Sequence, residues 1–408
     1  MNLFKSSFNK FDLIIIITII SVVFAGPIFG SFTPIRIIGF CSWIYYFLFV
    51  KVDYRIRKLT LFFYFIIFYS TISVLWNQDI HRYIIDFLVL ITNIGVFLLI
   101  YYAHCKARSP IESIILGWVI FTLINLIVSF WEINSGIHLY AGNYQTDNMT
   151  YDIDGVLQSR VYAAVTYGNF NSLSVVLCLC FYMLLLGISI YDEIKNKMFF
   201  LILILGIIYV EFINTSRGCL LSLFFSIVPI YKILKSSNNI RLLVCIISPF
   251  IAYMYIEYSD FFTFLVESKL SERSANFSDD PRFRIILDGI SIALNQFCIG
   301  GGPGCQVSEF TNYGNYITYS HNLWLQTLIE YGLVILIILF YSITKFALKS
   351  FFSNNKIIHI IGCLLIFSWP ILTIVDENYM KSIHWLFFSS ILSMVHYITS
   401  QPKQISKL

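Results

Sequence analysis

The sequence predicts an all-α, polytopic membrane protein, and two observations lead to this prediction. Of the 408 residues, 58% are hydrophobic and 12% are charged, whereas about a quarter of the residues of a soluble domain are charged. Apolar stretches suited to membrane helices also recur along the whole chain. The formal net charge is +4, but in a membrane protein the positions of Lys and Arg are more informative than their sum. No nucleic-acid partner is therefore expected.

Twelve apolar segments are predicted to form membrane-spanning helices, so residues 1–408 are interpreted as a single membrane domain. No small-residue cleavage site follows the first segment, which is therefore expected to remain as an anchor. The segments are 13–29, 37–50, 59–76, 83–102, 114–131, 173–191, 198–213, 219–234, 242–256, 323–340, 357–375 and 383–398.

The distribution of basic residues predicts the orientation of the chain. Of the 27 Lys and Arg residues, eighteen fall on one side of the predicted helices and nine on the other. Because cytoplasmic loops carry the excess of basic residues, both termini are predicted to be cytoplasmic. The nine external basic residues are then Arg36, Arg82, Arg160, Arg217, Lys269, Arg273, Arg282, Arg284 and Lys381.

Two long loops are predicted to lie outside the membrane. The first spans residues 132–168, and the larger one spans residues 258–320 between the ninth and tenth helices. Both loops carry several Asp and Glu residues, so each external arginine stands out among acidic neighbours. The simpler interpretation is a solvated arginine paired with a loop carboxylate, and clustering beside other polar motifs favours a functional role instead.

The stretch 279–332 contains the strongest functional signals. Asp280 and Pro281 predict a helix start, and apolar residues then recur at helical spacing as far as Phe297. This pattern predicts an amphipathic helix in the outer membrane interface rather than a spanning helix. Arg282 and Arg284 lie near its start, at the level where lipid phosphates are found.

A glycine-rich run, GGGPG at residues 300–304, is predicted to end that helix. A helix stop with a sharp turn is the favoured interpretation, and a nest of backbone N–H groups beside a phosphate is the alternative. No GK[ST] follows, so it is not a nucleotide-binding loop. Cys298 and Cys305 flank the run, and a disulfide between them stays open because sequence does not give its geometry. No motif predicts a metal site.

His321 and Asn322 open the tenth predicted helix from the outside. A lone histidine at a membrane interface is more often structural than catalytic, so this motif alone is weak. Glu330 follows nine residues later, about 13 Å along the helix at 1.5 Å per residue. The histidine and this carboxylate are therefore not a local catalytic pair.

Two more external arginines lie beside polar motifs. Arg160 precedes a Tyr-Gly-Asn-Phe-Asn stretch at residues 167–171, which leads into the sixth helix. Arg217 belongs to the short turn between helices seven and eight and is expected to face the polar interior. Glu211, one and a half helical turns earlier, is a candidate partner, and a structural ion pair is the alternative to a binding role.

Together these motifs resemble the O-antigen ligase and polysaccharide polymerase superfamily. The resemblance covers Arg160 with the 167–171 stretch, SRG at 216–218, Arg282 with the amphipathic helix and GxG turn, and HNxxLQxxxExG from His321 to Gly332. The motifs occur in this order from residue 160 to residue 332. Each motif alone is weak, whereas the ordered set is specific.

The resemblance implies a metal-independent glycosyltransferase of the GT-C type in the bacterial inner membrane, with its active site on the periplasmic side and no cofactor. Its substrates would be undecaprenyl-diphosphate-linked glycans. Membrane lipids and a chain-length regulator protein would be further partners. It assigns diphosphate binding to Arg160, Arg217 and Arg282, with Arg284 as a substitute, and action on the acceptor hydroxyl to His321 beside Asn322. Family members have Trp four residues after the loop arginine, whereas Ile286 stands here, so the choice between Arg282 and Arg284 stays open.

The resemblance is compatible with two main activities. One is polymerisation of lipid-linked repeat units, and the other is ligation, in which the glycan is transferred to lipid A core. In the ligases the histidine motif continues as HN, nine residues, G, two residues and GTT. Gly332 has the right spacing in this chain, but Ile335, Leu336 and Ile337 replace GTT, which favours a polymerase. A lipid-linked oligosaccharide flippase is the third possibility, and the lack of an internal half-repeat argues against it.

Overall fold

The structure, a computed structural model, consists almost entirely of α-helices in the residues that it describes. These are residues 7–25, 33–49, 57–139, 150–153, 156–159, 162–191, 193–214, 216–235, 281–315, 319–320, 322–375 and 382–400. One antiparallel hairpin is the exception to the predicted all-α class among these ranges. Its strands β1 (Thr150–Ile153) and β2 (Val156–Ser159) pair with Thr150 opposite Ser159, inside the predicted first external loop.

The helices follow one another with short connections between most of them. They are α1 (Lys10–Ser21), α2 (Pro34–Phe49), α3 (Arg57–Ser73), α4 (Ile80–Lys106), α5 (Pro110–Ser135), α6 (Phe170–Ile190), α7 (Ile194–Asn214), α8 (Arg217–Phe225), α9 (Ile227–Lys235), α10 (Pro281–Asn295), α11 (Cys305–Asn312), α12 (Leu323–Phe351), α13 (Lys356–Cys363), α14 (Trp369–Val375) and α15 (Ser382–Ser400). A π-helical turn, Leu364–Ser368, joins α13 to α14.

Six of these helical segments are long and apolar enough to cross a membrane, which supports a polytopic, membrane-embedded protein. They are α4, α5, α6, α7, α12 and the continuous segment Lys356–Ile374. The predicted total of twelve spans and the GT-C arrangement stay predictions, and the predicted ninth span, residues 242–256, lies outside the described residues.

Helix α6 forms the centre of the largest core. Almost all of its side chains from Ser172 to Ile188 are buried, and they pack with residues of α5, α7 and α13. The fully buried aromatic residues Trp118 and Trp369 belong to the same core. A rigid bundle of this kind holds the outer ends of its helices in fixed positions.

On the predicted outer side, α10 and α11 pack as a cap on the first half of α12. Their shared core includes Ile285 and Ile292 of α10, Phe310 of α11 and Ile329 of α12. The predicted amphipathic helix is thereby confirmed as a helix that begins at Pro281. Its other apolar residues, Ile286, Leu287, Ile290 and Leu294, are exposed, as expected for a helix that also faces lipid.

Candidate functional site

The described residues include only part of the predicted site. Arg160 and His321 lie outside them, as does the side chain of Arg282, although the backbone of that residue belongs to α10. Their proposed convergence therefore stays a prediction. Arg217, Arg284 and Asn322 are described, and the elements around all six residues can be examined.

Asn322 caps the N-terminus of α12. Its side-chain Oδ1 accepts hydrogen bonds from the backbone N–H groups of Trp324, at 2.9 Å, and Leu325, at 3.2 Å. The Ser320 hydroxyl donates to the Asn322 carbonyl at 3.2 Å. A capping side chain of this type satisfies two of the free donors of the first helical turn. Asn322 therefore fixes the backbone immediately after His321.

Arg217 is the first residue of α8, and its side chain is exposed. Glu211, the partner expected from the sequence, is fully buried, and neither of its carboxylate oxygens has a hydrogen-bond partner among the described residues. The expected hydrogen-bonded pair with Arg217 is therefore absent. Helix α7 ends at Asn214 and α8 begins at Arg217, so the two residues belong to different helices and the spacing of one continuous helix does not apply to them.

Arg284 lies on the exposed face of α10, with 63% of its side chain accessible. Its Nε is 3.6 Å from Oδ2 of Asp288, one turn later, and the same Asp288 oxygen accepts a hydrogen bond from Asn315 Nδ2 at 2.9 Å. An exposed pair of this kind contributes little to stability. The guanidinium of Arg284 thus stays accessible to an external anion.

The glycine-rich run forms a hydrogen-bonded turn against α12. The N–H of Gly301 donates to the Ile329 carbonyl at 2.8 Å, and the N–H of Gly302 donates to the Glu330 carbonyl at 2.9 Å. These carbonyls are accessible because α12 is kinked at Gly332, where φ is 77° and ψ is 176°. The two N–H groups are therefore used inside the protein, which favours the turn over a phosphate-binding nest.

Two side chains from the α3–α4 connection hold the outer face of this turn. The Trp76 indole N–H donates to the Gly300 carbonyl at 2.8 Å, and Asn77 Nδ2 donates to the Gly301 carbonyl at 2.8 Å. Cys298 and Cys305 at the two ends of the turn are free thiols. Burial raises the pKa of the Cys305 thiol well above its usual value, and the nearby Glu330 adds to the shift.

Sequence reasoning counted Arg82 among the external arginines but gave it no role. In the structure its guanidinium donates a hydrogen bond to the Tyr319 hydroxyl and lies 5.7 Å from the centre of that ring. Its Nε is 3.5 Å from Asp86 Oδ2, and the Arg36 guanidinium also interacts electrostatically with Asp86. Tyr319 is two residues before His321, so Arg82 holds one flank of the predicted catalytic segment on α4.

A second anchor, also missed from the sequence, fixes the segment after Arg160. The buried carboxylate of Glu132 accepts hydrogen bonds from the backbone N–H groups of Ala164, at 2.7 Å, and Val165, at 2.9 Å. Asn214 Oδ1 accepts from the N–H of Ala163 at 2.9 Å. The only signal in the sequence was that Glu132 is a carboxylate at the outer end of a predicted span. An ionisable residue at such a position is a candidate for a functional role.

A cavity of about 570 Å³ lies between α3, α4, α12 and α15. Its lining begins at Leu323, directly after Asn322, and extends along α12 to Phe346 and to Lys58 at the start of α3. The α12 residues of the lining lie on both sides of the kink at Gly332. The lining is mostly aliphatic and aromatic, with His384, Thr327 and Ser342 among its few polar residues.

Comparison with known families gives a match over part of the chain. Residues 199–341 match the model of a family described as O-antigen ligase, and no curated protein matches the chain. The matched segment contains Arg217, Arg282, Arg284, His321 and Asn322, while Arg160 precedes it. It includes the cap, the glycine-rich turn and the kinked helix described above. The match supports the assignment of this chain to the O-antigen ligase and polymerase superfamily.

Proposed function

We propose that this protein polymerises undecaprenyl-diphosphate-linked oligosaccharide repeat units on the outer face of the bacterial inner membrane. It transfers the growing glycan from its lipid diphosphate to the non-reducing end of a new lipid-linked unit. The family match supports activity of the ligase or polymerase type. The finer assignment to a polymerase rests on residues 335–337.

The apolar cavity is the observation that carries the proposal of a polyprenyl-linked substrate. It has about 570 Å³ of space, within the ~300–1,000 Å³ common for ligand sites, and its lining includes α12 residues from Leu323 to Phe346. A polyprenyl tail is an apolar chain that would bury its methylene and methyl groups along such a wall. Its diphosphate would then lie at the outer end, beside Leu323 and the His321–Asn322 segment.

Arginine side chains supply what the chemistry requires at that end. The lipid diphosphate is already a good leaving group, so the protein must neutralise its charge and orient it. Arg217 and Arg284 are exposed, and guanidinium forks bind phosphate oxygens in a bidentate geometry. Positive charges placed before the reaction stabilise the charge that develops on the leaving diphosphate.

His321 is assigned the role of general base. A neutral imidazole, with an ordinary pKa of about 6.5, accepts the proton of the attacking sugar hydroxyl at neutral pH. The acceptor oxygen forms a bond to the anomeric carbon, and the bond from this carbon to the diphosphate oxygen breaks. The lipid diphosphate leaves with the bonding electron pair. Asn322 and Arg82 position the two flanks of this segment.

One sequence feature separates the polymerase from the ligase alternative. The ligase motif would place GTT at residues 335–337, whereas this chain has Ile335-Leu336-Ile337. Ile335 is buried and lines the apolar cavity. The replacement of polar by apolar residues at this point supports a polymerase, and transfer to lipid A core stays the alternative.

Reconstitution tests the proposed activity directly. The purified protein is placed in liposomes with a defined undecaprenyl-diphosphate-linked repeat unit, and the products are separated by size. A ladder of lipid-linked oligomers is expected. Transfer only to added lipid A core would establish a ligase instead. Deletion of the gene gives the same distinction in cells, since a polymerase mutant displays single repeat units and a ligase mutant accumulates lipid-linked polymer.

A pair of variants tests the role of the cavity. Ser342→Trp fills the cavity at a lining position whose side chain is exposed to it, and we expect it to abolish the ladder because the lipid tail no longer fits. Ser291→Trp makes the same change on the exposed surface of α10 and should preserve the ladder. Equal activity of the two variants would refute binding of the tail in this cavity.

A further inference from the structure

A cluster of two histidines and a cysteine lies at the end of α4 that is opposite to the proposed active site. His104 and Cys105 precede the last residue of α4, and His396 belongs to the last two turns of α15. One ligand atom from each of the three residues lies within 4.8 Å of the other two. The predicted topology puts this cluster at the cytoplasmic face.

Two of the distances within the cluster are close to those of a zinc site. His104 Nε2 is 2.9 Å from His396 Nδ1 and 3.6 Å from the Cys105 sulfur. Tetrahedral zinc with Zn–N bonds of about 2.05 Å and Zn–S bonds of about 2.3 Å separates two nitrogens by roughly 3.3 Å and a nitrogen from a sulfur by roughly 3.6 Å. The sulfur is also 3.9 Å from His104 Nδ1 and 3.5 Å from the Tyr101 carbonyl oxygen, so it lies beside the His104 ring. Metal binding therefore requires the thiol to turn toward Nε2 and the two rings to separate by about 0.4 Å.

The surrounding helices hold the ligands in place. Side-chain hydrogen bonds join α4 to α15 at two other levels, from Ser382 Oγ to Asn93 Oδ1 at 2.7 Å and from Ser389 Oγ to the Phe97 carbonyl at 2.8 Å. The Tyr101 ring contacts both histidine rings, with centroids at 4.7 and 5.6 Å. Ligands that are carried by rigid, packed helices are preorganised for a metal.

We propose that His104, Cys105 and His396 bind one Zn²⁺ ion at the cytoplasmic end of the bundle. Imidazole and thiolate are the ligands that zinc prefers among protein groups. His104 is buried, whereas Cys105 is exposed, so an ion can enter from the exposed side, and water can occupy the fourth position. The ion would clamp the ends of α4 and α15.

Binding of Zn²⁺ releases one proton from the site and moves another within a histidine ring. The Cys105 thiol releases its proton to water and binds as a thiolate, as metal coordination requires. In the hydrogen bond between His104 and His396, the ring that donates moves its proton to its other nitrogen and keeps a neutral charge. No oxidation or reduction takes place.

Cobalt binding tests the site without reference to glycosyl transfer. The full-length protein is purified without a polyhistidine tag, stripped with a chelator and titrated with Co²⁺, which replaces zinc and absorbs visible light. We expect one ion per chain, visible bands of tetrahedral cobalt and a near-ultraviolet sulfur-to-cobalt band. Zn²⁺ should displace the cobalt and raise the melting temperature of the protein.

Three variants separate a metal site from a histidine–histidine hydrogen bond. Cys105→Ser alters an exposed residue and should remove the sulfur-to-cobalt band, while His396→Ala should weaken Zn²⁺ binding by more than the ~10–100-fold cost of losing a neighbour of a metal ligand. His359→Ala is the matched control, because His359 lies 3.6 Å from the Cys363 sulfur and belongs to no three-ligand group in the described part of the chain. Failure of the wild-type protein to take up Co²⁺, or spectra unchanged in the first two variants, would overturn the proposal.

Discussion

Replacement of Gly332 by alanine tests how the cap is joined to the membrane bundle. The kink in α12 has φ 77° and ψ 176° at this residue, a conformation that is essentially restricted to glycine. A Cβ at this position would lie 2.0 Å from the Ile299 carbonyl oxygen and 2.6 Å from the Cys298 carbonyl oxygen. These neighbours are backbone atoms, which cannot rotate away as a side chain can. The glycine-rich turn must therefore move away from the kink in α12.

The size of the destabilisation by Gly332→Ala follows from the backbone strain and from the hydrogen bonds that would be lost. A side chain in this backbone region costs about 1–3 kcal/mol. Separation also breaks the bonds from Gly301 N to Ile329 O, from Gly302 N to Glu330 O and from Leu333 N to Cys298 O, at roughly 1 kcal/mol each. We therefore expect Gly332→Ala to reduce the free energy of opening the cap by about 4–6 kcal/mol.

Hydrogen exchange of the purified protein measures this free energy. Since each 1.4 kcal/mol is a factor of ten, amides of α10 and α11 should exchange at least roughly 1,000-fold faster in Gly332→Ala. Gly314→Ala is the control, because Gly314 has φ 72° but a Cβ there would meet no atom within 4 Å. It should show only backbone strain of about 1–2 kcal/mol. Equal acceleration in the two variants would refute the proposed contact between turn and kink.

Three other predictions concern the proposed site and its orientation. His321→Ala or Arg217→Ala should abolish long-chain polysaccharide while the protein inserts at normal levels, and full-length polymer from both variants would show that these side chains are structural. Arg82→Ala should lower polymer formation by at least about tenfold, since a small displacement of a catalytic group is costly, and a wild-type rate would exclude the positioning role. In intact cells with a permeabilised outer membrane, a membrane-impermeant maleimide should label Cys298 and spare Cys305, whose raised pKa and burial leave little accessible thiolate at pH 7. Equal labelling of the two thiols would contradict the described cap.

The order of the motifs along the chain was sufficient to predict the family-level resemblance, which the match over residues 199–341 supports. The start of the amphipathic helix at Pro281 and the start of α12 after Asn322 were also predictable, since capping residues act on the next three positions only. The hairpin from Thr150 to Ser159 was missed because its strands are short and lie in a long polar loop. A pattern with so few residues does not separate strand from loop.

Long-range partners were much harder to predict. Glu211 and Arg217 are six residues apart, yet they belong to different helices, and neither carboxylate oxygen of Glu211 has a hydrogen-bond partner among the described residues. Arg82 and Tyr319 are 237 residues apart and are hydrogen-bonded. Sequence spacing gives contacts within a helix, whereas contacts between helices depend on how the whole bundle packs.

The sequence by itself determined that the chain is a membrane protein and predicted polar motifs at the outer ends of its helices, because hydropathy and charge are properties of local segments. Only the tertiary structure decided that the glycine-rich turn bonds to the kink at Gly332, that Arg82 holds the segment before His321, and that His104, Cys105 and His396 lie together. These contacts join residues distant in sequence, and their geometry depends on the packing of several helices at once.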